Sequence, residues 1–536
     1  MRVRPGKMAP AHKSRGGEPT QKPMAHAFTF PAPIRGLVLN EGLSTPQPGG
    51  ASILDNWICT TTGIRARGGS PRYATLGAPV RSMFTYNSTT ETFFAATDGA
   101  IFNITTVADK DVPPTADVTG QTEGYYSTEQ FGTAGGDYLY AVNGTDLAQL
   151  YDGSSWTQIN DTSTPAVTGA PTSDLSHVWS FASRLFFVKK DSKVAYYLPV
   201  DSIGGAATAF SLAGIFKKGG SLLFGATWSL DAGDGLDDKC VFVSTEGEVA
   251  IYEGTNPGDA AAWRLAGVYN ITRPLGPNAT MQAGGDLLIA TEAGMVPLSA
   301  AIRKDTAALS MAAVSKPIAP LWQAQVARLG SQPWEVIKWP QRNIMIVSQP
   351  GPDTDEGTCL VANLQTGAWS RVTGWVTRCM GYFDGFGYFS GPTGVVRRMD
   401  VSGNDDGMPY TCSYLGLFEN MGAQGVQKTV AQMRAMFQSA SPIDPQVRAQ
   451  VDYDRVLSAP PNSVTDSPGA VWDTAIWDTA IWDGEPPSEV VSRWVSIGRT
   501  GHAVAPEVQL TFGVTRTPEV ELVSIDTTFH VGAMVT

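Results

Sequence analysis

VRSMFTYNSTTETFFAATDGAIFNIT, residues 80–105, is the stretch whose reading decides the fold. Val80–Tyr86, Thr92–Thr97 and Ala100–Thr105 are short runs rich in aromatic and β-branched residues, each bounded by turn chemistry. The first two are joined through Asn87–Glu91, and the last two by Asp98-Gly99, a strong two-residue hairpin signal. The same grammar recurs downstream. Val241–Thr245 turns through Glu246-Gly247 into Glu248–Glu253, and Trp263–Tyr269 follows. Further units lie at Tyr138–Tyr151, Leu185–Leu198, Leu287–Leu298, Ile344–Trp369 and Phe386–Met399. Their first apolar residues fall at 93, 138, 185, 241, 287, 344 and 386, at intervals of 45, 47, 56, 46, 57 and 42 residues.

A period in the forties with three or four short strands per unit is the signature of a β-propeller blade. Seven blades of ~45 residues need about 315 residues, and positions 80–400 supply 321. Radial closure also removes most of the exposed strand edge that separate small sandwiches would leave. The expected fold is all-β: a β-propeller of about seven blades plus a second antiparallel β module. Ile318, Leu321, Trp322, Val326 and Leu329 interrupt the pattern with one apolar stripe at helical spacing, a helix packed beside the ring.

After Asp400 the strands lengthen, at Met408–Phe418, Thr429–Phe437, Val447–Tyr453, Ser492–Ile497, Pro506–Thr515 and Val520–Val531. Residues 401–536 therefore read as the second module. It contains a tandem Trp-Asp pentad repeat over 472–484, too short in period for either strand or helix. Residues 31–79 are expected to pair with this module or to close the ring.

Composition restricts the function classes. Lys plus Arg is 38 against 50 for Asp plus Glu, giving net charge −12, and only 16% of residues are charged. With 42% apolar residues the chain is too hydrophobic for disorder, and 57 Gly with 36 Pro make it too turn-rich for a helical protein. The longest charge-free run, Ser202–Phe216, has 15 residues, short of the ~20 a membrane helix needs, so no membrane span is expected. Residues 1–30 carry Arg2, Arg4, Lys7, Lys13, Arg15 and Lys22 against Glu18 and hold no apolar signal region. They read as a flexible basic arm, either a disordered leader or an anchor for a partner or anionic polymer. The rest of the chain then carries −17 (−12 less the arm's +5), which argues against a general nucleic-acid binder.

Catalytic chemistry finds little material. The five histidines (12, 26, 177, 502 and 530) are scattered, and the five cysteines (59, 240, 359, 379 and 412) form no C-x-x-C pair. The cysteines read as reduced, buried thiols. No phosphate-binding glycine motif is present. A carboxylate pair for glycoside hydrolysis stays open, because its separation is spatial rather than sequential. The densest acidic loop is Asp231, Asp234, Asp237 and Asp238, with glycines between them. It reads either as a solvated inter-strand loop or as a site for a hard cation such as calcium. No other cofactor is expected.

Several stretches together resemble a family, the tail nozzle proteins of short-tailed phages, also called tail tubular protein B or packaged-DNA stabilisation protein. They are Asp55-Asn56-Trp57 followed by TTTGIRARGGS at 60–70, TDGAIFNIT at 97–105, NGTDLAQLYDGSSW at 143–156 and YLPVDSIGGAAT at 197–208. GGSLLFGATWSLDAGDGLDD at 219–238, NLQTGAWSRVTGW at 363–375 and ELVSIDTTFHVG at 521–532 complete the series. The resemblance implies a homohexameric, non-enzymatic virion tube below the portal and adaptor. Such a nozzle conducts and retains double-stranded DNA without reading its sequence, and it carries tail fibres or a needle. It also implies assembly in the host bacterial cytoplasm. The alternative is a receptor- or glycan-binding propeller, with or without hydrolase activity.

Overall fold

Each of the seven marker residues lies in the second strand of its blade, six of them in small antiparallel sheets and Ile344 in a larger sheet that runs on beyond its blade. The computed structural model describes residues 25–42, 47–229, 238–351, 358–441, 443–464 and 489–532. In chain order the sheets begin at the strands Val80–Asn87, Ser127–Thr133, Leu175–Phe181, Leu222–Trp228, Thr280–Ala283, Glu335–Trp339 and Cys379–Phe383. The second strands, such as Glu91–Thr97, Arg184–Lys189 and Ile344–Gln349, are almost wholly buried because they have a strand on each side and a sheet on each face. That double burial made them the most apolar runs in the sequence.

The first strands follow one another in ring order, the fourth and fifth joined by Gln282 and Thr227, and Cys379–Phe383 returns to Val80–Asn87. The chain is a seven-bladed β-propeller with a second antiparallel β module, as its periodicity indicates. The last blade takes its outer strand from far upstream: Arg72–Thr75 pairs with Val395–Arg398, so the ring is closed by a segment that precedes residue 80. The fifth blade has three strands, Thr280–Ala283, Asp286–Thr291 and Gly294–Pro297. Short helices at Leu298–Ala301 and Leu309–Ala312 and the helix Ala319–Leu329 pack around it. Trp322 fixes that helix by donating its indole N–H to Thr291 O at 2.9 Å.

The second module is a sandwich of two sheets. One continues outward from the sixth blade. Trp369–Thr373 lies beside Ala51–Asp55, and Tyr410–Gly416, Val504–Phe512 and Gln446–Val451 follow, giving eight strands in one sheet. The other runs through Trp57–Cys59, Ile64–Ala66, Val520–Val531, Lys428–Ser439 and Glu489–Gly501, with Ala25–Pro31 also on Val520–Val531. One apolar cluster spans this sandwich and the fifth and sixth blades, with Trp57, Trp322, Trp334 and Trp369 at its centre. Each buried aromatic of 150–250 Å² contributes roughly 4–6 kcal/mol at ~25 cal/mol per Å², before entropy. All five cysteines are buried free thiols, and burial pushes the Cys59 and Cys359 thiols up to about 12. Among the described residues, no helix is long and apolar enough to cross a membrane.

Candidate functional site

Two places concentrate polar chemistry: the tunnel through the ring and the junction between ring and sandwich. The tunnel is a cavity of about 1280 Å³ walled by the first strands of the blades. A ring strand has a free edge, so its N–H and C=O groups need partners. Side chains of neighbouring blades supply many of them. Ser82 Oγ donates to Gly124 O at 2.7 Å and accepts from Tyr126 N–H at 3.2 Å. Thr227 Oγ1 donates to Ser180 O at 2.6 Å, and Gln282 Nε2 donates to Thr227 O at 3.0 Å. Glu335 Oε2 accepts from Met380 N–H at 2.7 Å, and Thr85 Oγ1 donates to Tyr382 O at 2.7 Å. Between the fifth and sixth blades the link is backbone to backbone, Val336 N–H to Asn278 O at 3.0 Å.

His177 spans three blades. Its Nδ1 lies 2.9 Å from Ser127 Oγ, and its Nε2 lies 3.0 Å from Gly225 O. A carbonyl can only accept, so Nε2 carries the proton and Nδ1 accepts from the serine. Ser127 Oγ in turn accepts from Val178 N–H at 3.2 Å. Burial pushes the His177 imidazole down to about 4. A serine beside a histidine is the start of a nucleophilic pair. This histidine has both nitrogens engaged and is a weak base near neutrality. His177→Ala is expected to cost about 1–3 kcal/mol, since it strands Ser127 and the Gly225 carbonyl in the wall. An unchanged urea midpoint would show that the bridge contributes nothing.

The wall carries the carboxyls Glu129, Asp238 and Glu335, and no lysine or arginine among the described residues. Burial raises Glu129, an effect that hydrogen bonds from the Ser180 hydroxyl and amide only partly offset. Glu335 is pushed up by burial to about 8, although it accepts the Met380 N–H. At neutral pH it therefore sits in the wall chiefly as a neutral acid.

The junction gathers residues more than 300 positions apart. Asp55 receives a two-pronged bond from Arg371 at 2.7 and 2.6 Å. Asn56 Nδ2 donates to Thr373 Oγ1 at 2.8 Å and to Thr411 O at 2.7 Å. Arg67, with no exposed side-chain surface, uses all five of its donors. Two go to Asp405 at 2.9 and 2.6 Å, and Nε goes to Asn56 Oδ1 at 2.9 Å. The others reach Gly68 O at 2.9 Å and Thr373 O at 3.1 Å. The guanidinium also stacks 3.9 Å from the centre of the Tyr410 ring. Asp400, equally buried, pairs with Arg65 at 2.8 Å and Arg342 at 3.3 Å and accepts from Gly68 N–H. Burial alone would raise its pKa, and the two arginines with the amide hold it below the ordinary carboxylate value.

This contact explains the paired glycines. A Cβ on Gly68 would lie 2.7 Å from the Asp400 carbonyl carbon, and one on Gly69 would lie 2.0 Å from Asn404 O. Only glycine lets the two backbones approach this closely. The segment 67–71 links the sandwich strand Ile64–Ala66 to the ring-closing strand Arg72–Thr75. Three of the stretches that carry the family resemblance, 55–57, 60–70 and 363–375, thus meet in one bolt between ring and sandwich.

Other candidate residues are placed differently. Asp231, Asp234 and Asp237 lie outside the described residues, while Asp238 lines the tunnel. Among the described residues, no group of three or more His, Cys, Asp or Glu side chains is placed to hold a metal ion. Arg2, Arg4, Lys7, Lys13, Arg15 and Lys22 and the 472–484 repeat also lie outside. The tunnel ring of Ser82, Glu129, His177, Thr227, Gln282 and Glu335 was not singled out from sequence as a site. Its one signal is a polar residue 5 to 14 positions upstream of six of the seven marker residues.

No protein-family model matches the chain, and a comparison with curated proteins finds no relative. Among solved structures, the extracellular domain of a hybrid two-component system from B. thetaiotaomicron is 12% identical, with TM-score 0.38, over 63% of this chain and 41% of that one. Raptor from Chaetomium thermophilum is 10% identical, with TM-score 0.38, over 62% of this chain and 29% of that one. The Cps50 (Swd1) β-propeller domain from Myceliophteria thermophila is 12% identical, with TM-score 0.36, over 63% of this chain and 99% of that domain. This chain therefore spans less than half the length of the first two. Likeness at this level transfers no function.

Proposed function

We propose that this chain is a structural virion subunit, six copies of which form a tail nozzle below the portal and adaptor of a short-tailed phage. It conducts DNA outwards, retains it before infection, and carries fibres or a needle. The observation that supports this reading is the junction, where three of the stretches resembling the nozzle family converge on one polar bolt. Such a bolt would hold a ring and a sandwich together, as a scaffold subunit requires. A chain of net charge −12 suits a body that DNA passes without adhering, since phosphates are repelled rather than bound. The tunnel polar groups act between blades, which suits a non-enzymatic subunit.

The binding-propeller reading calls for exposed aromatics clustered at a tunnel mouth. Among the described residues, the large exposed aromatics are Tyr453 and Trp494, both outside the ring. The direct test is mass measurement under native conditions. A particle near six times 57.0 kDa, alone or with the adaptor, is expected. A monomer under both conditions would remove the nozzle reading, and deletion of the gene should abolish DNA-filled particles.

A further inference from the structure

One sheet of the sandwich has two open ends. Its strands lie in the lateral order Ala25–Pro31, Val520–Val531, Lys428–Ser439, Glu489–Gly501, and every neighbour is antiparallel. The two end strands therefore run antiparallel to one another. Neither outer edge is paired among the described residues.

An open edge presents a row of N–H and C=O groups, and lone proteins usually blunt it with proline, bulges or short length. These edges are long and regular. Ala25–Pro31 pairs with Val520–Val531 in seven unbroken steps. Glu489–Ser496 pairs with Lys428–Ser439 in eight, and the register shift comes only beyond Ser496. The two free edges thus match in length as well as direction.

Their side chains also match. Register places Ala27 and Thr29 on the same sheet face as Arg434, Ser492 and Trp494. On that face Val490 is 74% exposed and Trp494 41% exposed, opposite a strand that offers small residues. On the core face, Phe28 at one end and Val491 and Val495 at the other pack partly buried against the same apolar cluster. Edge to edge, two copies would continue that cluster from one sandwich into the next.

We propose that Glu489–Ser496 of one copy pairs antiparallel with Ala25–Pro31 of a second copy of this chain, joining their sheets edge to edge. The two surfaces differ, so the contact is heterologous, leaves a free edge at each end, and repeats until a ring closes. This rests on the ring reading given above. It adds the surface by which the copies join.

The test uses the full chain with cysteine pairs. Facing residues on paired antiparallel strands have Cα atoms about 4.5 or 5.5 Å apart, inside the range a disulfide spans. Within one copy the same two strands are three strand spacings apart, about 14 Å, so only an intermolecular bond can form. The five native cysteines are buried, which keeps the background low. Ala27→Cys is combined in turn with Val490→Cys, Ser492→Cys and Trp494→Cys, then oxidised mildly and run on a non-reducing gel. At least one double variant should give a ladder of multimers ending at the closed ring. A mixture of the two matching single variants should stop at dimers, and each alone should stay monomeric on the gel. Dimers from Ser492→Cys alone would mean that like edges pair, and would overturn the proposal. No ladder from any pair, with native mass still showing a ring, would also overturn it and leave the nozzle reading standing. A monomer by native mass would remove both.

Discussion

Arg67→Ala should be the most damaging single substitution in the described structure, with a loss of about 3–5 kcal/mol. The guanidinium is wholly buried, pairs in two prongs with Asp405, and stacks on Tyr410. Its removal leaves the Asp405 carboxylate without its cation and the Thr373 and Gly68 carbonyls without a donor. Arg67→Lys should recover only part of the loss, because an ammonium cannot reproduce the planar fork that reaches both Asp405 oxygens and Asn56. Asp405→Asn in the Arg67→Ala background should add little, since the two side chains act as a unit. A chain of this size need not unfold in two states, so the readout is the first thermal transition together with proteolysis at segment 67–71. A melting curve that matches wild type would show that the bolt does not hold ring and sandwich together.

The second large effect is a gain. Glu335 is pushed up by burial from 4.5 to about 8. Between those values the unfolded chain has released this proton while the folded chain keeps it, so stability falls as pH rises. The contribution is fully present below about 4.5 and is lost as pH climbs through about 8. Glu335→Gln retains an oxygen for the Met380 N–H but cannot ionise. It should therefore stabilise the fold at pH 7 by on the order of 2 kcal/mol, a figure discounted because Glu335 is only part-buried in the tunnel wall. It should also flatten the decline on the alkaline side. His177 acts in the opposite direction. Its pKa is depressed from 6.5 to about 4, so its contribution is present above 6.5 and is lost as pH falls through about 4. Wild type should be most stable between the two limbs. Parallel urea-stability profiles for Glu335→Gln and wild type from pH 4.5 to 8 would refute the burial argument.

Much of the ring was legible in the chain because burial on both faces writes itself into composition. Phe93, Leu185, Val241, Leu287, Ile344 and their neighbours sit in strands with protein on every side, so each is part of an apolar run that can be counted. The tunnel strands were harder to read. Residues such as Ser82, Glu129, His177 and Glu335 line the tunnel and bond across blade boundaries, so no period of two or 3.6 marks them as a set. The helix Ala319–Leu329 was legible for the same reason as the blades, since Trp322 and Leu329 turn one face into the core.

By itself the sequence determined the repeat, the propeller class, the long C-terminal strands and the absence of any compact catalytic motif. These are local or periodic properties, set by which residues must be dry and which must turn. Only the tertiary structure decided that Arg72–Thr75 closes the last blade and that the sixth blade runs on into the sandwich. It also decided that Asn56, Arg67, Thr373 and Asp405 form one junction. Apart from the short step between Asn56 and Arg67, those pairings join residues more than 300 positions apart, and the loop-closure entropy between them depends on the whole folded path rather than on any window of sequence.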